Sequence, residues 1–310
     1  MFDYRQLQAL ATVVEEQNFE RAAQRLHVTQ SAISQRIKQL EELVGQTLLI
    51  RTHPLQATDA GQVLLKHYRQ IAMLQSAVMS ELNPVLETGQ IRLSIGLNAD
   101  TLATWFLPAI EPLLNAHSVL LDIKVDDQDQ TQQLLRSGEV MGCISSSDKP
   151  LQGCHCIPLG VSVYRLLASP QFTKKYLPEG ANQAALRRAP VVEFNHKDAL
   201  QIRYLEQFFD LRPGDYACHR IPSAETFIDL IVRGFGMGMI PDQMTTELLS
   251  SGQLVDVSPG DYLAVPLYWH VWNLKAPLAE ELTHALAEQG KKDLAPFSDY
   301  PILATPKLTR

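Results

Sequence analysis

Phe19-Glu20-Arg21-Ala22-Ala23-Gln24-Arg25-Leu26-His27-Val28-Thr29-Gln30-Ser31-Ala32-Ile33-Ser34-Gln35-Arg36-Ile37 reads as two short helices around a tight turn. Ala22, Ala23 and Leu26 form the apolar stripe of the first helix and Val28 fills the turn. Ile33, Ile37 and Leu40 continue at helical spacing in the second. Small Ala side chains let two helices cross closely, as a helix-turn-helix requires. Thr29 stands at the N-cap of the second helix, where its hydroxyl can accept from a free backbone N–H. Away from its apolar stripe that helix carries Gln30, Ser31, Ser34, Gln35 and Lys38. Short polar side chains there reach base edges in the major groove and cations reach phosphates, which points to double-stranded DNA as a partner.

Bulk charge gives no such signal. The 310 residues hold 27 Lys and Arg against 34 Asp and Glu, a net charge of -7, which argues against a nonspecific nucleic-acid binder. Residues 1–60 hold six cations and seven anions, so the distribution matters more than the sum. From Arg21 to Lys38 there are four cations and no carboxylate, while Glu15, Glu16, Glu20, Glu41 and Glu42 flank the motif. A locally positive face on an acidic protein suits a sequence-specific binder whose phosphate contacts are sensitive to salt.

The length and the 45% hydrophobic content allow two or three domains with proper cores. No apolar run approaches the ~18 residues of a membrane span. The N-terminus carries Asp3, Arg5 and an amphipathic helix (Leu7, Leu10, Ala11, Val14) in place of a signal-peptide core. A cytoplasmic location with no membrane partner is expected, and the four cysteines fit free thiols in a reducing compartment.

After the helix pair, Leu48 to Ala57 with Pro54 reads as a short β-hairpin, the wing of a winged helix-turn-helix, from which Arg51 could enter a minor groove. Thr58-Asp59 caps a long helix expected to run to about Glu87. Leu64, Ile71 and Val78 recur every seven residues with Leu74 at an alternate position, a short dimer seam. Asn83-Pro84 and Thr88-Gly89 mark a hinge. Beyond it strands (91–97, 119–125, 141–145) alternate with helices (101–115, 128–137). A second set follows: strands 165–168 and 189–194, helices 198–209 and 223–233, and strand 237–240. Residues 262–272 read as a strand returning to the first lobe. This is an α/β pattern with a parallel sheet, in two lobes joined by two crossings, with a ligand cleft between them. Residues 291–310, with three prolines, read as a mobile tail.

In this order of elements the chain resembles the LysR-type transcriptional regulators. The resemblance rests on Thr29-Gln30-Ser31-Ala32-Ile33-Ser34-Gln35-Arg36-Ile37-Lys38-Gln39-Leu40-Glu41 with Thr58-Asp59-Ala60-Gly61 behind it. More narrowly it is similar to the ArgP (IciA) and LysG branch, which responds to lysine and arginine. That match is carried by Phe19 to Gln24, by Asn98-Ala99-Asp100-Thr101-Leu102-Ala103-Thr104-Trp105 and by Leu267-Tyr268-Trp269-His270. The resemblance covers residues 1 to about 290. It implies an α/β chain with a winged helix-turn-helix (1–58), a linker and dimerisation helix (59–88) and a two-lobed, periplasmic-binding-protein-like effector domain (89–290). It also implies a homodimer pairing into a tetramer on DNA. Carried over by position, Gln30, Ser31, Ser34 and Gln35 face bases, and Arg36, Lys38 and Arg51 lie near phosphates or the minor groove. Gln56 departs from a wing position that often holds Arg.

The resemblance places a small effector, lysine or arginine, near Asn98, Asp100 and Thr101, where helix-start N–H groups and Thr101 Oγ1 could seat an α-carboxylate. A basic amino acid brings two cationic groups, so Asp126, Asp127 and Asp129, which follow a strand end, are candidates to meet them, as is Glu225 beside Ser223 at a second-lobe helix start. Trp105 or Phe194 could pack on the aliphatic stem. No cofactor, metal site or enzymatic activity is expected. Cys154-His155-Cys156 falls short of the four ligands a metal needs, Gly234 to Gly238 read as a helix-to-strand turn, and Ser145-Ser146-Ser147 has no nucleophile elbow. The competing reading is an architectural or replication-origin DNA-binding protein indifferent to amino acids.

Overall fold

The computed structural model describes residues 1–82, 91–127, 130–196 and 199–300. The first three helices, α1 (Tyr4–Glu16), α2 (Phe19–Arg25) and α3 (Gln30–Val44), pack around Leu7, Leu10, Val13, Ala22, Ile33, Ile37 and Leu40. Each has a capped start. Asp3 accepts from Arg5 N at 2.8 Å, Asn18 from Glu20 N at 2.7 Å and Thr29 from Ala32 N at 3.2 Å. Ala22 is wholly buried where α2 crosses its neighbours. The wing is a minimal antiparallel hairpin of β1 (Leu49–Ile50) and β2 (Gln56–Ala57).

Helix α4 (Asp59–Leu82) begins at Thr58, whose Oγ1 accepts from Gly61 N at 3.1 Å. Its seven-residue apolar series divides in two. Leu64 is buried in the N-terminal core and Ile71 packs against that core, whereas Leu74 and Val78 stand exposed with Val63, Met79 and Leu82. The first turns of α4 thus complete the N-terminal domain, and the apolar face left open keeps Leu74 and Val78 of the series read from the sequence but not Leu64 and Ile71. The expected continuation of α4 to Glu87 and the hinge at Asn83-Pro84 and Thr88-Gly89 lie outside the described residues.

The rest of the chain is one mixed nine-stranded sheet with helices on its faces. Lobe I contains β3 (Ile91–Leu97), α5 (Ala99–Ala103), α6 (Phe106–Ala116), β4 (Val119–Val125), α7 (Thr131–Arg136) and β5 (Gly142–Ser145). The long β6 (Cys154–Ala168) then crosses to lobe II. There follow α8 (Pro170–Tyr176), α9 (Gln183–Leu186), β7 (Val191–Glu193), α10 (Ala199–Phe209), β8 (Cys218–Arg220), α11 (Ala224–Val232), β9 (Met237–Pro241), α12 (Thr246–Ser250) and β10 (Val255–Asp256). β11 (Leu263–Trp272) crosses back, and α13 (Pro277–Asp293) packs on lobe I.

The sheet runs β4-β3-β5-β11-β6-β9-β7-β8, with β10 on β6. It is parallel within each lobe and antiparallel where β6 and β11 pair with each other and with their neighbours. The expected parallel sheet holds within each lobe and not at the two crossings, which are themselves strands running in opposite directions through the middle of the sheet. Their register shifts between Leu267 and Tyr268, opposite Gly160 and Pro158. The expected strand 165–168 is only the end of a 15-residue strand, since Pro158 and Gly160 interrupt its sequence pattern. The expected helix 101–115 is two helices. Pro108 cannot donate an N–H and its ring crowds the carbonyl of Thr104, so helix restarts at Phe106.

The expected tail boundary at 291 falls inside α13. Leu294 is buried, Ala295 exchanges two backbone hydrogen bonds with Val161 (2.8 and 2.9 Å), and the rings of Phe297 and Tyr300 lie on Tyr268 and Tyr262. Residues up to 300 are therefore packed against β6 and β11, while 301–310 lie outside the described residues.

Candidate functional site

Of the residues on α3 expected to meet DNA, Gln30, Ser31, Ser34, Gln35 and Lys38 share one side and Arg36 lies on the opposite flank. Ile33, Ile37 and Leu40 are buried against α1, which turns Gln30, Ser31, Gln35 and Lys38 outward and leaves Ser34 and Arg36 half-buried. Thr29 Oγ1 and Ser31 Oγ share a hydrogen bond of 2.9 Å, which orders the start of the helix. Lys38 lies 3.8 Å from Glu42, an exposed pair that water screens. Arg51, on the wing, rests its guanidinium over the Phe19 ring at 5.7 Å. The positive face is narrower than the sequence count implies. Arg25 pairs with Glu15 and Glu16 at 2.9 Å each, which raises its pKa, and Arg21 donates to the Glu16 carbonyl. Of the cations expected to meet DNA, Lys38 stands on the same side of α3 as Gln30 and Ser34, and Arg51 on the wing.

Between the lobes lies a cavity of about 310 Å³. β3 and β4 are parallel with Leu97 opposite Val125, so the loops leaving their carboxyl ends emerge side by side. Asp126 N donates to the Leu97 carbonyl at 3.2 Å and Asp127 N to Asp126 Oδ1 at 2.9 Å. These loops bring Asn98, Asp100, Asp126 and Asp127 to one wall. Asn98 Oδ1 accepts from Thr101 N at 3.2 Å, and the Tyr164 hydroxyl donates to Asp100 Oδ2 at 2.8 Å. The opposite wall, from lobe II, holds Phe194, Asn195, His196 and Gln201 with apolar Phe227, Ile228, Met239 and Met244. One wall is acidic, and the other is apolar with amide groups.

Of the residues expected in the cleft, Asn98, Asp100, Asp126, Asp127 and Phe194 line the cavity. Thr101 and Trp105 are buried in lobe I and do not line it. Ser223 and Glu225 are not brought to it: both are exposed at the start of α11, where Ser223 Oγ accepts from Thr226 N at 3.4 Å. Ala224, Phe227 and Ile228 of the same helix line the wall instead. Asp129 lies outside the described residues. Gln201, missed from the sequence, carried a signal: it is a polar residue on the buried stripe of α10 with Tyr204 and Leu205.

A wider cavity, about 680 Å³, separates α4 from lobe I. Arg69 reaches across it to donate to the Gly138 carbonyl, and burial there lowers its pKa. Gly138 has φ +72° and sits so close to Lys66 that a Cβ would collide with it.

The cysteines are all free thiols. Cys143 is buried, which pushes its thiol up to about 12. Cys154 and Cys156 lie on β6, with Cys156 Sγ 3.7 Å from His270 Nε2. Among the described residues no group of three or more His, Cys, Asp or Glu side chains is arranged to hold a metal ion. None of the described helices is long and apolar enough to cross a membrane.

Comparison with known proteins accounts for both halves. Residues 4–62 match the bacterial regulatory helix-turn-helix proteins of the lysR family, and residues 87–291 match the LysR substrate binding domain. The HTH-type transcriptional regulator ArgP of Aeromonas salmonicida is 45% identical over 294 residues, covering 95% of this chain and 98% of that one. The ArgP of Escherichia coli K12 is 42% identical over 294 residues, covering 94% and 98%. Among solved structures, ArgP from Mycobacterium tuberculosis superposes with a TM-score of 0.84 at 38% identity, covering 94% of this chain and 98% of that one. Full-length LysG from Corynebacterium glutamicum with bound effector Arg gives 0.77 at 32% identity, covering 95% and 100%. The chain belongs to the LysR family of transcriptional regulators.

Proposed function

We propose that this regulator binds L-arginine or L-lysine in the interlobe cavity and that binding changes how its winged helix-turn-helix engages DNA. The observation that carries the reading is the pairing of walls, with Asp100, Asp126 and Asp127 on lobe I facing Phe194, Gln201 and Met239 on lobe II. Carboxylates in a partly dehydrated cleft favour a cation, and the apolar wall suits the methylene stem of a basic side chain. The likeness to LysG, whose structure holds Arg, supports the same ligand class here.

In this reading residues 1–58 bind DNA, 59–88 link and dimerise, and 89–290 bind the effector. The bases are read by Gln30, Ser31, Ser34 and Gln35, with Arg36, Lys38 and Arg51 on phosphates or in the minor groove. A single helix-turn-helix reads few base pairs, so two-fold sites call for a dimer. The exposed Leu74, Val78, Met79 and Leu82 of α4 supply an apolar face for it, and two dimers form the tetramer on DNA. Binding at the cavity changes transcription only through a differential affinity for two geometries, and a coupling of roughly 1–3 kcal/mol suffices.

The test is calorimetric titration of L-arginine and L-lysine into the purified protein and into Asp126→Asn. Saturable binding weakened at least about tenfold in the variant is expected, from loss of a charge-assisted contact. No binding of either amino acid by the folded protein contradicts the assignment.

A further inference from the structure

Gln201 is a polar side chain 1% exposed, on the lobe II wall of the cavity. Its Oε1 accepts from the backbone N–H of Met239 at 2.9 Å. That bond fixes the amide orientation, because a backbone N–H can only donate and so must face the oxygen. Nε2 is thereby committed to the other side. It is buried and has no hydrogen-bond partner among the described residues. A buried amide donor without an acceptor is costly to the fold and is rare in native structures. Its position on a ligand-sized cavity makes an incoming acceptor the natural partner.

The charge layout says which acceptor. Lobe I contributes Asp100, Asp126 and Asp127, and among the described residues none of those lining the cavity from lobe II is a carboxylate. A ligand carboxylate laid on lobe I would meet like charge. At the helix start expected from the sequence, Asn98 already accepts from Thr101 N and Asp100 lines the cavity beside it. The negative end of a zwitterionic ligand therefore belongs on lobe II.

We propose that Gln201 Nε2 donates to the α-carboxylate of the amino-acid effector, so that a basic amino acid lies with its cationic side chain at the lobe I carboxylates and its carboxylate on lobe II. This rests on the reading that the cavity takes a basic amino acid. It makes Gln201 a specificity-determining residue, one that separates free amino acids from carboxyl-blocked or decarboxylated amines of the same side chain. It also gives the ligand one contact on each lobe, which is what a cleft must have to hold two lobes at a set angle.

The experiment compares L-arginine with L-argininamide by calorimetry in the unmodified protein and in Gln201→Glu, with L-lysine and L-lysinamide in parallel. Glu keeps an oxygen for Met239 N–H and replaces the free donor by an acceptor. The unmodified protein is expected to prefer L-arginine. In Gln201→Glu that preference falls at least about tenfold, because the carboxylate is now opposed and the amide NH₂ is accepted. Gln201→Met, which lacks both charge and donor, is measured alongside in case Glu disturbs folding, and the preference shrinks in it too. A preference unchanged in the folded variants overturns the proposal, whether both affinities stay or both fall together. An unmodified protein that binds neither amino acid overturns the amino-acid reading itself, and that outcome is distinct from an unchanged preference.

Discussion

The Tyr164 hydroxyl donates to Asp100 Oδ2 at 2.8 Å, joining the strand that crosses between the lobes to the acidic wall of the cavity. Tyr164 is 1% exposed, so its ring is part of the core while its tip holds a cavity carboxylate. Tyr164→Phe keeps the ring and removes the tether. We expect a loss of about 1 kcal/mol of stability and a weakening of arginine binding of roughly 3- to 10-fold. Thermal melting and calorimetry on one preparation check both numbers, and unchanged binding would remove Asp100 from the ligand's surroundings.

Gln35 is exposed on α3, and Lys38, also exposed, stands about one turn further along. Gln35→Ala should cost about 1–3 kcal/mol at the specific site and little on unrelated DNA, as expected of a residue that reads a base edge. Lys38→Ala should weaken both alike and reduce the salt dependence by about one counterion. Fluorescence anisotropy against specific and scrambled duplexes over a salt series separates the two roles.

Arg69 of α4 donates to the Gly138 carbonyl of lobe I, and we expect coupling between the cavity and the N-terminal domain to pass through this contact. Arg69→Met retains much of the side-chain volume and removes that link. Arginine affinity and basal DNA affinity should each stay within about threefold, while the effect of arginine on DNA affinity shrinks toward none. A full ligand response in Arg69→Met would place the coupling elsewhere.

His270 is wholly buried, and Nε2 donates to the Ser147 carbonyl at 2.8 Å, so Nδ1 carries the lone pair. Burial holds its pKa below 6.5, the ordinary histidine value. The unfolded chain accepts a proton that the folded chain resists. Stability is therefore complete above about pH 6.5 and declines as the pH drops toward the folded value. Melting temperatures between pH 7.5 and 5.5 should fall for the unmodified protein and fall less steeply for His270→Gln. Parallel slopes would assign the acid sensitivity to other groups.

How much of this was legible in the sequence follows from the range of the interactions. Thr29 at the N-cap, Ile33 and Ile37 inward and Gln35 outward are set by spacing within one helix, and the structure has them so. The acidic wall was legible because Asp100 and Asp126 follow two strand ends, and adjacent parallel strands bring such ends together. The start of α11 was legible from Ser223, but its rotation was not. Ala224, Phe227 and Ile228 share the cavity face at helical spacing, and Glu225 is turned about 100° from Ala224. Gln201 meets Met239 only through the packing of α10 on β9, 38 residues apart, which no local pattern encodes. The start of the heptad on α4 was not legible for a related reason: Leu64 serves a core built from α1 to α3.

The most direct measurement is a crystal structure of the full chain grown with L-arginine. One arginine is expected in the interlobe cavity, its guanidinium against Asp126 and Asp127 and its carboxylate within hydrogen-bond reach of Gln201 Nε2. Arginine bound instead in the wider cavity between α4 and lobe I, with the interlobe cavity empty, would contradict this.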